Sequence, residues 1–293
     1  MFKRMSNSDK LFIAIDYIIL SLLFVVVAYP LLYVIAASFS AGPGSMTVYL
    51  IPKRFSLAGY EAVFGYKDIW TGYLNSIINM ILGTLISLTV TMMCAYPLSR
   101  PDFKGRHVIM IMCMITMYFS GGMIPTYLTV KDLGLLNSRW ALLLPGAMGV
   151  YNMIVMRTYI MSSIPADIRE SAQIDGCGNI RYLISMVVPL SKPILAVTGL
   201  FCAVGIWNSY FDAMLYVSAK RELYPLALVL REILVLDSAN MDQLDINTLL
   251  AMEERRNVMK YAVIVVSSIP VMAIYPFVQK FFVKGMMLGS VKG

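Results

Sequence analysis

"SSIPADIRESAQIDGCGNIRYLISMVVPLSKP", residues 162–193, is a polar interruption in a chain otherwise dominated by long apolar runs. Its order of residues is that of two short helices joined by a tight turn. Ser163 is placed to cap the first, Pro165 suits its first turn, and Asp167 sets a negative charge near the positive end of the helix dipole. Gly176 supplies the stop, because a residue without Cβ enters the left-handed region at little cost. Asn179 then opens a second helix, which Pro189 and Pro193 are expected to end. Ile164, Ile168 and Ala172 recur at intervals of four, so one side of the first helix is apolar, and Ser171 beside Ala172 keeps that side slim. Such a face can enter a groove on a partner, with Arg169, Glu170 and Asp175 as a charged rim. An amphipathic helix lying on the bilayer is the alternative. Surface helices usually bring Lys and Arg to the headgroups, whereas this one mixes Arg169 with Asp167, Glu170 and Asp175. Periodicity and charge leave both readings open.

The surroundings of this stretch are those of a membrane protein. The 293 residues are 59% hydrophobic and only 14% charged, with mean hydropathy +0.72; a soluble domain carries about a quarter charged residues. Runs of roughly 20 apolar residues, enough to cross ~30 Å of hydrocarbon, are expected near residues 13–37, 73–98, 108–128, 140–160, 194–217 and 258–278. Each must be helical, since an open strand would leave backbone groups unpaired in lipid. The fold class expected is therefore all-α, an integral membrane protein of six transmembrane helices forming a single domain over residues 1–293. Lys3, Arg4 and Lys10 precede the first run and Ala36, Ala37 and Ser38 follow it, as around a secretory signal. The run is about twice the length of a signal's apolar core, and it reads as an uncleaved helix.

An even number of spans puts both termini on one side. The short segment Ser99 to Arg106 packs Arg100, Lys104 and Arg106 together, as expected of a cytoplasmic loop, so the termini are placed inside. Residues 161–191 then form a cytoplasmic loop and 219–257 an external one. On this layout the net charge of +7 reflects topology rather than affinity for nucleic acid.

Chemistry-bearing residues are sparse. Cys94, Cys113, Cys177 and Cys202 lack metal-ligand spacing, and three of them fall in expected spans, where a thiol is a small apolar filler. Ionisable groups at membrane depth mark functional sites, yet only Asp16 and Asp212 are candidates. Asp16, near the inner end of the first span, reads as facing headgroups. The single histidine, His107, reads as an interfacial residue beside Arg106. No nucleotide-binding G-x-x-x-x-G-K-[ST] run is present, so any ATP is bound by another subunit. An integral membrane enzyme of glycan or lipid synthesis needs a cluster of acids or histidines that the sequence does not offer. An ion-coupled secondary transporter would be expected to carry paired midplane charges or inverted repeats.

The stretch "ESAQIDGCGNIRYLISMVVPL" resembles the EAA motif of ABC-importer permeases, with Ser171 standing where the motif has its first alanine. "LNSIINMILG", "YPLSRPDFKGR", "MIPTYLTVKDLGLLN", "FCAVGIWNSYFDAML" and the tail "QKFFVKGMMLGSVKG" are similar to the carbohydrate-uptake branch, the maltose-permease-G-like subunits. "FSGGMIPTYL" and "LYPLALVLREIL" resemble its polysaccharide- and lipoprotein-linked subgroup. The likeness runs over nearly the whole chain. It implies a type I ABC-importer permease fold in a bacterial cytoplasmic (inner) membrane, pairing with a second permease chain. An ABC ATPase dimer that holds ATP and Mg, and an extracytoplasmic solute-binding protein that delivers the sugar, complete the implied assembly. The chain itself would bind no cofactor and catalyse no reaction. Glu170, Ser171, Ala172, Asp175 and Gly176 are the matched positions of the helix that couples the permease to the ATPase. The subgroup implies an oligo- or polysaccharide cargo, such as uronate-containing fragments.

Sugars bind through aromatic faces and hydrogen bonds to amides and carboxylates. In the fifth expected span Trp207, Asn208, Tyr210 and Asp212 bring such groups together, and Tyr118 and Asn152 add to them from the third and fourth. Gly121 and Gly122 permit bending or close helix approach. The competing reading is structural, since Trp and Tyr favour membrane interfaces and Asn joins helices. Between the fifth and sixth spans "YPLALVLREILVL" reads as a short amphipathic helix, lying on the membrane or packed on the sister chain. In the family this segment reaches toward the binding protein, and the Gly-rich tail after Gln279 reaches the ATPase dimer.

Overall fold

The structure, a computed structural model, describes residues 6–40, 55–235, 259–273 and 276. Most of the external segment after residue 235, both ends of the sixth expected span and the tail after Gln279 lie outside the described residues. Helices dominate. Among the described residues there is no strand, only an isolated bridge between Ser40 and Phe55. Two compact units are present, one of residues 1–66 and 233–269, the other of residues 67–232 and 270–293.

In the first unit, α1 (Asn7–Ser38) is a 32-residue helix opened by a capping box between Ser6 and Asp9. It is apolar on every side, and the most hydrophobic stretch is unburied, which suits a helix whose solvent is lipid. At its end Ser38 is buried and shares a 2.8 Å hydrogen bond with the hydroxyl of Tyr60 in α2 (Ala58–Gly65). Phe39 lies between Phe55 and Tyr60, with ring centroids 5.5 and 5.1 Å away.

The second unit is built on α3 (Lys67–Ser99), 33 residues long. Small and polar residues fall three or four apart along it, at Gly72, Ser76, Asn79, Gly83, Ser87, Thr91 and Ala95, and all are buried. Lipid tails are as apolar as leucine, so helices associate in membranes through close packing and hydrogen bonds between small residues. The stripe does this work. Gly83 meets Ile206, and Ser87 shares a 3.3 Å hydrogen bond with the Cys202 thiol.

Only α1 and α3 are long and apolar enough, among the described residues, to cross a bilayer unbroken. Three expected spans are broken instead. The third divides into α4 (Arg106–Tyr118) and α5 (Met123–Asp132), bent by 115°. The break holds Gly122 at φ 90, a conformation open to glycine and strained for other residues. The fourth divides into α6 (Trp140–Leu143) and α7 (Val150–Ser163), with Pro145 and Gly146 in the gap. At 1.5 Å per residue, 13-residue α4 and 14-residue α7 are each about 20 Å long, too short to span alone.

After α8 (Ala166–Ile174) comes α9 (Asn179–Leu190), which contains a π-helical turn at Leu183–Val187. It meets α10 (Lys192–Asn208) at 80°. Pro189 does not end α9. It sits in the last turn, and the chain breaks at Ser191, where Pro193 sits in the first turn of α10 and needs no amide partner. The fifth expected span ends early, at Asn208, and resumes as α11 (Phe211–Tyr216). The amphipathic stretch beyond it forms α12 (Leu226–Val235). It packs on its own chain. Leu226, Leu228 and Val229 are buried, the Leu226 amide donates to Ser76 Oγ at 2.8 Å, and Asn75 Nδ2 donates to the Tyr224 carbonyl. In the first unit α13 (Met259–Ala273) includes the described part of the sixth span, and Tyr261 stands edge-on to Tyr33.

Candidate functional site

The helix pair α8–α9 and the segment Ser99–Arg106 lie together at the Ser99 end of α3. Pro165, in extended conformation, precedes α8, with Asp167 in the first turn. Ser163, expected as its cap, instead closes α7, because the chain remains helical through that residue. At the other end Gly176 has φ 71. The Cys177 amide donates to the Ala172 carbonyl at 2.9 Å and the Gly176 amide to the Gln173 carbonyl at 3.0 Å. This is a Schellman stop, which satisfies the last carbonyls of the helix.

The faces of α8 are not arranged as its periodicity suggested. Ala172 is buried, and Ile164 and Ile168 pack with it against the cluster of Ile160, Tyr182 and Val187. This apolar side is the foundation of the helix, not a free surface for a partner groove. The reason is local: α8 and α9 each have an apolar side, and a tight turn lets one bury the other. Asp167, Glu170, Ser171 and Ile174, at spacings of three, four and seven, form the exposed face. Ile174 is 87% exposed. The matched motif positions are therefore divided, with Ala172 inward and Glu170, Ser171, Asp175 and Gly176 outward.

A brace holds this arrangement. Asp102 Oδ2 accepts from Arg100 Nη2 at 2.5 Å and from Arg169 Nη2 at 2.8 Å, tying α8 to the loop after α3. Arg100 also donates through Nη1 to Asn179 Oδ1 and lies over the Tyr96 ring, 5.8 Å from its centroid. Arg106 donates to the Arg100 carbonyl, and Arg157 Nε to the Leu98 carbonyl at 2.8 Å. The hydrogen bonds from Arg100 and then Arg169 hold the Asp102 carboxyl far below the usual carboxylate range. In return, Asp102 raises Arg100 above the ordinary guanidinium value. Beside the brace a cleft of about 500 Å³ is walled by Tyr96, Arg106, Arg169, Gln173 and Tyr182, among others. Sequence reasoning used Arg100 only for topology and passed over Asp102. The available signal was an acid in one short loop opposite Arg169 in another on the same expected side.

The residues expected along a substrate pathway are not all brought together. Asp212, in the first turn of α11, lines a cavity of about 180 Å³ with Asn79, Gly83, Gly146, Gly205 and Ser209. This cavity sits where two expected spans break, and irregular backbone at membrane depth is tolerated where it lines such a space. Trp207 does not offer a face to a sugar. It is buried edge-on against Tyr73, with centroids 5.7 Å apart. Asn208 is exposed and donates one N–H to the Val204 carbonyl of its own helix at 2.9 Å. Asn152 contacts the Cys202 thiol and joins α7 to α10. Tyr118, at the end of α4, is 76% exposed and does not line the cavity. Tyr210 lies beneath Arg231, whose guanidinium carbon is 5.5 Å from the ring centroid. Near the Lys67 end of α3, Arg139 donates to Asn79 Oδ1 at 2.7 Å and to Asn75 Oδ1 at 2.8 Å. Neither arginine had been singled out: Arg139 is a lone cation beside a break, and Arg231 is a single charge within an apolar helix, so neither gives a periodic signal.

The chain is similar to known proteins. Residues 69–213 match the family described as binding-protein-dependent transport system inner membrane component. Protein LplC of Bacillus subtilis (strain 168) is 41% identical, over 90% of this chain and 89% of its own length. The polygalacturonan/rhamnogalacturonan transport system permease protein YtcP of the same organism is 40% identical, over 97% of this chain and 99% of its own. Among solved structures, a chain of a bacterial ABC transporter involved in the import of the acidic polysaccharide alginate superposes with a TM-score of 0.85. That chain is 34% identical, the match covering 96% of this chain and 100% of the other. The all-α membrane architecture is thus that of a transport component rather than an enzyme, and the chain belongs to the family of binding-protein-dependent transport system inner membrane components.

Proposed function

We propose that the chain is a permease subunit of an ATP-driven, binding-protein-dependent importer of oligo- or polysaccharide, coupled to its ATPase through the exposed face of α8. The observation that carries this is the asymmetry of α8. One side is anchored by Ala172, Ile168 and the Arg169–Asp102 pair, and the other presents Asp167, Glu170, Ser171 and bare Ile174. An apolar residue ringed by charge on a braced helix is the anatomy of a docking surface, with an apolar centre and a polar rim. The brace then transmits displacement, because α8 is tied to the loop at the end of α3 and cannot tilt alone.

In this reading the Ser99 end of α3 and both termini face the cytoplasm of a bacterial cell, as the positive loop 99–106 favours. A second permease chain completes the pathway, two ATPase subunits bind ATP and Mg, and an extracytoplasmic protein delivers the sugar. Asp212 and Asn79 would accept and donate hydrogen bonds to sugar hydroxyls in the cavity between the broken helices. Support for a carbohydrate cargo comes from the relatives, whose names refer to polygalacturonan, rhamnogalacturonan and alginate.

Mild-detergent purification of the tagged chain from its native membrane tests the reading. Recovery of an ATPase and a second permease is expected, with hydrolysis stimulated by one sugar-loaded binding protein. A chain that is recovered alone and retains transport activity would refute it.

A further inference from the structure

Cations near the Lys67 end of α3 fall into two kinds. Arg221 is neutralised by Asp68 at 3.1 Å and Glu232 at 3.2 Å. Arg231 has no carboxylate partner among the described residues. Its Nη1 meets the Met214 thioether at 3.4 Å, a weak acceptor, and its guanidinium carbon lies over the Tyr210 ring, 5.5 Å from the centroid. The Nε and Nη2 edge of the fork is left without a partner there. A cation–π contact holds a guanidinium over a ring without consuming its N–H donors. The residue is also held in position. α12, which carries it, is pinned to α3 where the Leu226 amide meets Ser76 and where the Leu226 backbone comes within 3.1 Å of a Cβ built on Gly72.

A planar, pre-set fork with a free edge is suited to bidentate capture of a carboxylate, and an adjoining aromatic ring is suited to a pyranose. Tyr210 remains 40% exposed, and Asp212, two residues on, lines the cavity at the break in the fifth expected span. We propose that Arg231, held over Tyr210, is a specificity-determining residue that takes the carboxylate of a uronate-containing oligosaccharide as it enters the pathway. The inference rests on the importer reading and specifies the cargo as acidic.

The test uses the complete importer, with its ATPase, second permease and binding protein, in sealed vesicles. Uptake of trigalacturonate is compared with that of its carboxyl-reduced neutral counterpart. Arg231→Gln should raise the KM for the acidic sugar about tenfold or more, as expected for loss of a charged hydrogen bond, and leave the neutral sugar unchanged. Arg231→Lys, which keeps the charge and loses the fork, should fall between. Raised salt should shrink the difference between wild type and variant, since the attraction is electrostatic. Equal losses on both sugars, or no loss on either, would overturn the proposal and assign Arg231 to packing or to docking of the binding protein. If Arg231→Gln fails to assemble, the ratio measured with Arg231→Lys decides. Wild-type uptake of the neutral sugar alone would sink the acidic specificity and leave the importer intact, whereas a wild-type complex that moves neither sugar and lacks an ATPase would sink both.

Discussion

At the scale of single residues, the account turns on Asp102 and Ala172. Asp102 joins Arg100 of its own loop to Arg169 of α8, and its folded pKa lies below the unfolded value. A depressed carboxyl contributes stability fully above its unfolded pKa, about 3.9, and loses it as pH falls through the folded value. The pair is half exposed, with Asp102 at 50%, so Asp102→Asn should cost only about 0–1 kcal/mol of stability. The difference in melting temperature between wild type and Asp102→Asn should persist from neutral pH to about pH 4 and close below it. Transport-coupled ATP hydrolysis should fall further than stability does, because α8 loses its tie. Ala172 calls for the opposite pattern. It is buried in the chain's own core, so Ala172→Leu should destabilise the permease itself by about 1–3 kcal/mol through overpacking, seen as a lower melting temperature of the isolated chain. Glu170→Lys, on the exposed face, should leave that temperature unchanged and reduce ATPase association, scored by copurification.

At the scale of elements, what was legible depended on whether a signal was periodic. Gly176 and the apolar spacing of Ile164, Ile168 and Ala172 identified α8 correctly, because capping and amphipathicity are written locally. Which side of that helix is left exposed was not legible, since the same apolar stripe serves an intramolecular or an intermolecular groove, and only the fold of α9 decides. Hydropathy located α1 and α3 but ran through the breaks in the third, fourth and fifth expected spans. Phe119 to Gly122, Pro145 with Gly146, and Ser209 with Tyr210 add too little polarity to interrupt an averaged window. The contact between α3 and α12 is likewise non-local, and it makes a sharp prediction. A Cβ on Gly72 would stand 3.1 Å from Leu226 Cα and 3.2 Å from its nitrogen, where backbone must move. Gly72→Ala should therefore shift α12 and lower stability by about 1–3 kcal/mol. It should also weaken crosslinking between cysteines placed at Ser76 and Leu226, which meet through a hydrogen bond, an outcome that distinguishes displacement of α12 from a general loss of folding.

At the scale of the whole molecule, the second unit links two chemically different ends through one helix. The Lys67 end of α3 gathers Asn75, Asn79 and Arg139 beside the docked α12, and the Ser99 end leads directly into the brace on α8. Movement imposed on α8 is delivered to α3 by Asp102 and by the buried cluster containing Ala95, Tyr96 and Ala172. In the proposed reading, ATP hydrolysis on a separate subunit would act through this route. The same logic explains why the sequence identified the transport family more readily than any pathway: residues 162–193 form a compact motif, and the residues expected to line a pathway are scattered over broken helices. The most direct measurement places a photo-crosslinking amino acid at Ile174, and separately at Ile168, in the assembled importer in its native membrane. The account predicts a covalent adduct with the ATPase from position 174 and only intramolecular products from position 168. An ATPase adduct from 168 but not from 174, or only lipid adducts from 174, would contradict it.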